Sequence, residues 1–344
     1  MANPIILTGL RANNQFHLGN YFGALLPIID LARTKSQDYE IYLMLADLHS
    51  FTTPIDHTKL QGQIRANLRA YAAAGLPLDR KTVRLFRQSH IAAHSELTWI
   101  LDCFTGMGQL SRMTQYKDKA ASLNEDRINV GLFNYPVLMA SDVLLYGAEY
   151  VPVGEDQTQH LEFIRDSAEY MNRRFGQLFV VPKPVKRQHA FFGKDQGLRI
   201  RDLQSPEKKM SKSDESGKGV IYLDESPAAA IKKIMSATTD SLASIPGELD
   251  YERQPGISNM LQMLALLQNK SITAVLREYS GQTQYGPLKM ALAQAVTEFL
   301  QQYQGRLAAV DDDRLFNKIS DDEKTMNEIA NSTLANVHEA VGLR

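Results

Sequence analysis

Lys209-Met210-Ser211-Lys212-Ser213 places two ammonium groups three positions apart, with one hydroxyl between them and another beyond. Lysines act as mobile point charges and hydroxyls as donors, so such a loop can close on a polyphosphate. Ser216, Gly217 and Gly219 follow and leave the backbone room to move. The plain alternative is a solvated lysine-serine loop. A second candidate is His17-Leu18-Gly19-Asn20. Glycine at a helix start lets backbone amides approach an anion, the helix dipole favours negative charge there, and a histidine can donate to a phosphate. The same four residues would also serve as a turn with a capping group. The third candidate is Asp142, an acid inside a largely apolar stretch running from Tyr135 to Tyr146. On a helix, Met139, Asp142 and Tyr146 share one face. A buried carboxylate is costly without a partner. That partner is either internal, a cation or hydroxyl, or a ligand ring with one N–H on an apolar body, as an indole has.

These residues need a frame. Ile5-Ile6-Leu7, Ile41 to Leu45 and Val83 to Phe86 are apolar runs of strand length. Between them, residues 18–32 and 60–74 carry apolar side chains at helical spacing. Pro27 should kink or break the first helix, and Gly75-Leu76-Pro77 should stop the second. Strand, helix, strand, helix, strand predicts a parallel sheet with crossover helices. Ligands then bind beyond the carboxyl ends of the strands, where Thr8-Gly9, Asp47 and His49 are expected. Arg11 to Gln15 reads as an asparagine-rich loop, and a helix is expected to begin at Pro136. Residues 114–199 read as less regular. From about residue 225 the pattern is helical: Met260, Met263, Leu264 and Leu267 recur on one face, and Leu292 to Leu300 is rich in helix formers. Pro255-Gly256 and Gly281 to Pro287 are the clearest breaks.

A chain of 344 residues should form about two domains and bury a large core. Its 44% hydrophobic and 22% charged residues are ordinary for a globular protein. The single cysteine, Cys103, excludes an intramolecular disulfide framework or a cysteine-built zinc ribbon, and a reducing cytoplasm fits. No signal peptide and no membrane span are expected. A net charge of −1 argues against coating nucleic acid by bulk attraction, so any RNA contact must use local clusters such as Arg173-Arg174, Lys208-Lys209 or Lys232-Lys233.

The lysine loop resembles the KMSKS signature of class I aminoacyl-tRNA synthetases, and His17 to Asn20 resembles their HIGH signature with asparagine in the fourth place. The stretch from Tyr135 to Tyr146 is similar to the specificity helix of bacterial-type tryptophanyl-tRNA synthetases, where Gly-Asn in the first motif is also common. Ala46-Asp47-Leu48-His49, Met113 to Lys119, Val151 to Gln157 with His160, and Pro255 to Asn259 match further motifs of that family. The matches run in order from the N-terminus to about residue 260. The first loop departs from the pattern: Arg11-Ala12-Asn13-Asn14 stands where the family often has Gln-Pro-Ser-Gly.

The resemblance implies a Rossmann-like, doubly wound α/β catalytic domain over residues 1–224, with an inserted dimer and specificity region at about 114–199. Residues 225–344 would form a helical domain that reads the tRNA anticodon. It implies ATP-dependent activation of L-tryptophan to tryptophanyl-adenylate, with Mg²⁺ on ATP, and transfer to tRNA(Trp) by a homodimer without a protein-bound structural metal. Asp142 would bind the indole N–H, and Gln157 and Tyr135 the amino group. Met139, Val151 and Val153 would shape the pocket, with His49 at its edge. Arg11, Ala12, Asn13, Gly19, Asn20, Gly154, Glu155, Asp156 and Ile200 would surround ATP. His17, Lys119 and the loop Lys209, Met210, Ser211, Lys212 and Ser213 would serve the phosphates. Phenylalanine would leave Asp142 buried and unpaired and so be rejected. A tyrosyl-tRNA synthetase, a small nucleotidylyltransferase and a synthetase-like regulatory protein are the rival readings.

Overall fold

The computed structural model describes residues 3–12, 15–121, 128–152, 154, 157–192, 199–211 and 217–344. Three strands, β1 (Ile5–Arg11), β2 (Glu40–Ala46) and β3 (Val83–Arg87), form a parallel sheet in the order β1-β2-β3. The register runs from Ile5 opposite Glu40 to Arg11 opposite Ala46, and from Ile41 opposite Val83 to Leu45 opposite Arg87. The chain returns to the free edge of β1 at Tyr150, which bridges Ile6 in parallel and accepts the Leu7 N–H at 2.9 Å. The order of connection therefore reverses at β1, the place where open α/β sheets form a ligand crevice.

Two expectations about β1 are corrected. Thr8 and Gly9 lie within the strand, not beyond it, and Arg11 is its last residue. The backbone ladder to β2 continues through these residues regardless of side chain. Gly9 suits the tight spacing, since a Cβ there would lie 3.2 Å from Cε of Met44.

After β1 the chain enters α1 (Leu18–Asn20), a π-helical turn (Tyr21–Leu25) and α2 (Leu26–Lys35). The predicted break at Pro27 takes this form. The Leu26 N–H reaches back five residues to Tyr21 O, and Pro27 falls in the first turn of α2, where its missing N–H costs nothing. Then α3 (His57–Ala73) crosses to β3, capped by Asp56 and ended at Gly75 with φ +89°.

Beyond β3 come α4 (Ala93–Asp102), α5 (Met107–Leu110), α6 (Thr114–Ala121), α7 (Val130–Leu144), α8 (Thr158–Phe175) and α9 (Val185–Phe192). The stretch read as irregular is thus mainly helical in its described parts. Nor does Pro136 start a helix: α7 begins six residues earlier, where Asn129 Oδ1 accepts the Leu132 N–H at 2.8 Å, and the proline lies inside it. The C-terminal third forms α10 (Pro227–Met235), α11 (Pro255–Leu267), α12 (Ile272–Tyr279), α13 (Gly286–Ala308) and α14 (Asp312–Val341). Pro255 and Pro287, read as breaks, stand in the first turns of α11 and α13.

Alternation along the strands builds two cores. Ile6, Ile41, Leu43, Leu45, Val83 and Leu85 face α1 to α3 and α10 to α13. Leu7, Tyr42, Met44, Ala46 and Phe86 face α4, α7 and α8. Helices on both faces make this the doubly wound α/β architecture. The last helix joins both cores: Leu315 and Ile319 pack in the first, and Met326, Ala330, Leu334 and Val337 in the second. Among the described residues no helix is long and apolar enough to cross a membrane.

Candidate active site

A cavity of about 270 Å³ opens in the crevice beside β1. Its wall includes Gly9 and Arg11 from β1, His49 from the turn after β2, and Tyr135, Met139 and Asp142 from α7. Val151, Gly154 and Gln157 close it from the far side of β1, and Lys119 of α6 also lines it. Nine residues expected from sequence to touch substrates therefore meet in one place: Arg11, His49, Tyr135, Met139, Asp142, Val151, Gly154, Gln157 and Lys119.

Asp142 is 2% exposed and holds three internal partners. His49 Nε2 lies 2.8 Å from Oδ2, while Gln88 Nε2 at 2.7 Å and His94 Nδ1 at 2.6 Å both reach Oδ1. His94 Nε2 in turn lies 2.8 Å from the Tyr146 hydroxyl. If Tyr146 donates there, His94 carries its proton on Nδ1 and donates to Asp142. Burial alone would raise the Asp142 pKa, but hydrogen bonds from His49 and His94 outweigh it and hold it down at about 2. Burial beside this carboxylate pushes the Tyr146 phenol well up. Asp142 thus has internal partners, an amide and two imidazoles rather than the cation or hydroxyl expected, and the ligand reading stands beside them, because among the described residues three of a carboxylate's roughly four acceptor positions are used. The expectation that phenylalanine would leave Asp142 unpaired is corrected: it would leave one position empty.

Tyr135 is fixed from below. His160 Nε2 lies 2.8 Å from its hydroxyl and the two rings stack, with centroids 5.2 Å apart. Lys119 Nζ lies 4.6 Å above the centroid of the Tyr135 ring, which puts that cation at the cavity wall. Arg11, at the end of β1, is a second cation in this wall, and burial lowers its pKa from the ordinary value while Tyr135 acts in the opposite sense. Val151 is held by its N–H to Gln188 Oε1 of α9 at 3.1 Å.

The two phosphate-type motifs adjoin. His17 caps α1: its Nδ1 accepts the Asn20 N–H at 3.3 Å, and Asn20 Oδ1 accepts the His17 N–H at 3.4 Å. The capping reading of this motif is therefore realised, with Nδ1 as the acceptor and the proton on Nε2. A Cβ on Gly19 would lie 3.0 Å from the His17 ring and 3.3 Å from Met210 Cβ, so glycine is what lets the lysine loop approach the helix start. Backbone bonds stitch the two segments: Leu18 N–H to Ile221 O at 3.0 Å, and Leu223 N–H to Phe16 O at 3.0 Å. Met210 N–H reaches Ile200 O at 2.9 Å, which seats Lys209 on a short bridge opposite Arg201. Ile200 is buried, as is Ala12, whose carbonyl accepts from Asn67 Nδ2 at 2.8 Å. Asn13, Val153, Glu155, Asp156, Lys212 and Ser213 lie outside the described residues.

Gln88, His94 and the Tyr146 hydroxyl are the site groups that sequence reasoning missed. Gln88 carried one usable signal, its place at the carboxyl end of a parallel strand. Among the described residues no group of three or more histidine, cysteine or acidic side chains is arranged to hold a metal ion.

The chain matches the family model of class I tRNA synthetases for tryptophan and tyrosine over residues 2–301. A tryptophan–tRNA ligase of Caldanaerobacter subterraneus is 40% identical over 338 residues, spanning 98% of this chain and 98% of the relative. The crystal structure of tryptophanyl-tRNA synthetase from Mycoplasma pneumoniae superposes with a TM-score of 0.82 at 33% identity, covering 100% of this chain and 99% of that one. The Campylobacter jejuni enzyme, crystallised with ADP and tryptophan, gives a TM-score of 0.79 at 28% identity, covering 98% of this chain and 100% of that one.

Proposed function

Because this chain belongs to the class I tRNA synthetases for tryptophan and tyrosine, we propose that it activates L-tryptophan with ATP, releasing pyrophosphate, and passes the tryptophanyl group to the 3′ end of tRNA(Trp). The observation that carries the choice of amino acid is Asp142, an ionised carboxylate in an apolar cavity with one acceptor position left. An indole supplies one N–H on a flat apolar body, which suits that position. Losing one hydrogen bond to a buried charge costs about 1.5–3 kcal/mol, roughly tenfold to a hundredfold against phenylalanine. The remaining discrimination falls to the fit of the ring between Met139 and Val151.

Activation needs no enzyme nucleophile. The tryptophan carboxylate attacks the α-phosphorus of ATP, the bond to the β,γ-pyrophosphate breaks, and the chain's part is alignment and charge stabilisation. Gln157 and Tyr135, both in the cavity wall, would take the amino group. Gly19, Asn20 and Gly154 suit the approach of the nucleotide, and the Nε2 side of His17 can donate to a phosphate oxygen. Lys209 and Lys212, with Lys119 and Arg11 from the cavity wall, would meet charge growing on the leaving pyrophosphate more strongly than charge in the ground state, and that difference accelerates the step. Mg²⁺ bound to ATP would share the phosphate charge. The helices from α10 onward would read the anticodon, and the active species would be a homodimer.

Amino-acid-dependent ATP–pyrophosphate exchange tests this reading, followed by charging of tRNA(Trp). Exchange supported by tryptophan, and at least about a hundredfold more weakly by tyrosine and phenylalanine, is expected. Exchange with tyrosine alone, or with none of the three, would overturn it.

A further inference from the structure

We propose that Gln88 and His94 are positioning residues that set amino-acid specificity by fixing the Asp142 carboxylate, so that a single acceptor position, on Oδ2, remains for a ring N–H. The inference rests on the tryptophan reading of the cavity. Neither side chain lines the cavity, and both are 0% exposed. Their two donors saturate Oδ1, and His49 takes half of Oδ2. Among the described residues, the four polar or titratable groups facing Asp142 therefore come from different places: His49 after β2, Gln88 after β3, His94 on α4, and Tyr146, behind His94, just beyond α7.

The support for each donor is specific. Gln88 follows directly on β3, so the strand sets its reach, and its Oε1 has no hydrogen-bond partner among the described residues. Among the described residues its amide N–H to Asp142 is the one hydrogen bond this buried side chain makes. His94 is held on both ring nitrogens, by Asp142 and by the Tyr146 hydroxyl, which fixes ring plane and tautomer together. One turn further along α4, Thr98 Oγ1 lies 3.0 Å from Ser141 Oγ, next to Asp142 on α7, which ties the two helices at this level. A carboxylate gripped from three directions cannot swing to follow a ring that presents its donor elsewhere. It selects the donor's position as well as its presence.

The test uses tryptophan-dependent ATP–pyrophosphate exchange by the full-length protein. Gln88→Met keeps the volume and removes the donor. It should raise KM for tryptophan about tenfold and reduce the preference for tryptophan over phenylalanine, with KM for ATP within about twofold. Gln88→Glu sets a second carboxylate against Asp142, and such a pair holds one shared proton when it works. Its kcat/KM for tryptophan should therefore rise about tenfold relative to the parent between about pH 8 and pH 6, as the regained O–H replaces the lost N–H. An unchanged KM for tryptophan in Gln88→Met, or the parent's pH profile in Gln88→Glu, would overturn the proposal. If the methionine variant does not fold, the pH profile of the glutamate variant decides alone. A parent protein that exchanges with tyrosine only, or with no amino acid, defeats the substrate reading instead, before any variant is compared.

Discussion

Hydrogen bonds and burial act on Asp142 in opposite senses, and the sign of the outcome reaches beyond substrate binding. Its pKa is about 2 in the folded chain and ~3.9 when unfolded, so the unfolded state takes up the proton first. The group's contribution to stability is complete above about pH 4 and is lost as pH falls through about 2, and it amounts to on the order of 2 kcal/mol. The stability gap between the parent and Asp142→Asn, measured by urea unfolding, should therefore shrink by that amount between about pH 5 and pH 2. A gap independent of pH contradicts the assignment. The same variant should lose about a hundredfold or more in kcat/KM for tryptophan, because an amide placed among three donors cannot satisfy them all. The lysine loop predicts a different split. Lys212→Ala should slow adenylate formation by about a hundredfold while leaving the dissociation constant of tryptophan within about twofold, as stopped-flow fluorescence would read. Equal small losses in both would remove Lys212 from the transition state. Arg11→Gln should weaken the ATP dependence of activation, and an unchanged KM for ATP would confine Arg11 to the amino-acid side of the cavity.

At the scale of elements, the sheet edge shows how the site is held. Among the described residues β3 is an edge strand, and its outward N–H groups have no strand there to pair with. Helix α14 supplies the acceptors from side chains. Asp322 Oδ2 takes the Leu85 N–H at 2.9 Å, and Glu323 Oε1 takes the Arg87 N–H at 3.2 Å. Lys318 at 2.5 Å, Arg84 at 3.5 Å and the Arg87 guanidinium at 2.7 Å neutralise the two acids. Asp322→Ala would leave a buried N–H and two cations without their partner, so it should destabilise the fold by about 3 kcal/mol in urea unfolding. A loss below ~1 kcal/mol would mean that water replaces the carboxylate. This contact also marks the limit of what sequence shows. The starts of the three strands, helix α3 and the helices of the C-terminal third follow from short-range apolar patterns, although β1 runs on through Thr8 and Gly9 to Arg11. Pro136 misled because its cost within α7 is met by surrounding packing, which a local rule does not weigh. Gln88 and His94 lie 54 and 48 residues from Asp142, and Asp322 lies 237 residues from Leu85. In sequence, Asp321-Asp322-Glu323-Lys324 looks like any solvated helix face, because periodicity records which side a residue takes and not what meets it there. The Asp142 motif was legible because an acid within an apolar helix requires some partner; only the structure names the three it has.

At the scale of the whole molecule, neighbouring helices leave three large apolar side chains exposed in the single chain. Trp99 on α4 and Met107 on α5 are each 71% exposed, and Val130 at the start of α7 is 81% exposed. Helices α4 and α5 both pack against α7, so these side chains belong to one contiguous group of elements. Large apolar side chains left exposed on packed neighbouring helices suit an association surface. The partner proposed for it is a second copy of this chain, related by a two-fold axis so that the same patch meets itself. The arrangement bears on the active site, because α4 carries His94 and α7 carries Asp142. Burying Trp99 across the axis would stiffen the two helices that hold the indole anchor. Trp99→Glu puts a charge on α4 where the proposed contact lies. It should convert a dimer to a monomer in sedimentation velocity at micromolar concentration and raise KM for tryptophan in the same preparation, while urea unfolding of the chain stays within about 1 kcal/mol of the parent. A Trp99→Glu protein that sediments as the parent does would show that this face is not where copies meet. A monomer with the parent's KM for tryptophan would show that α4 and α7 hold Asp142 without help from a second copy.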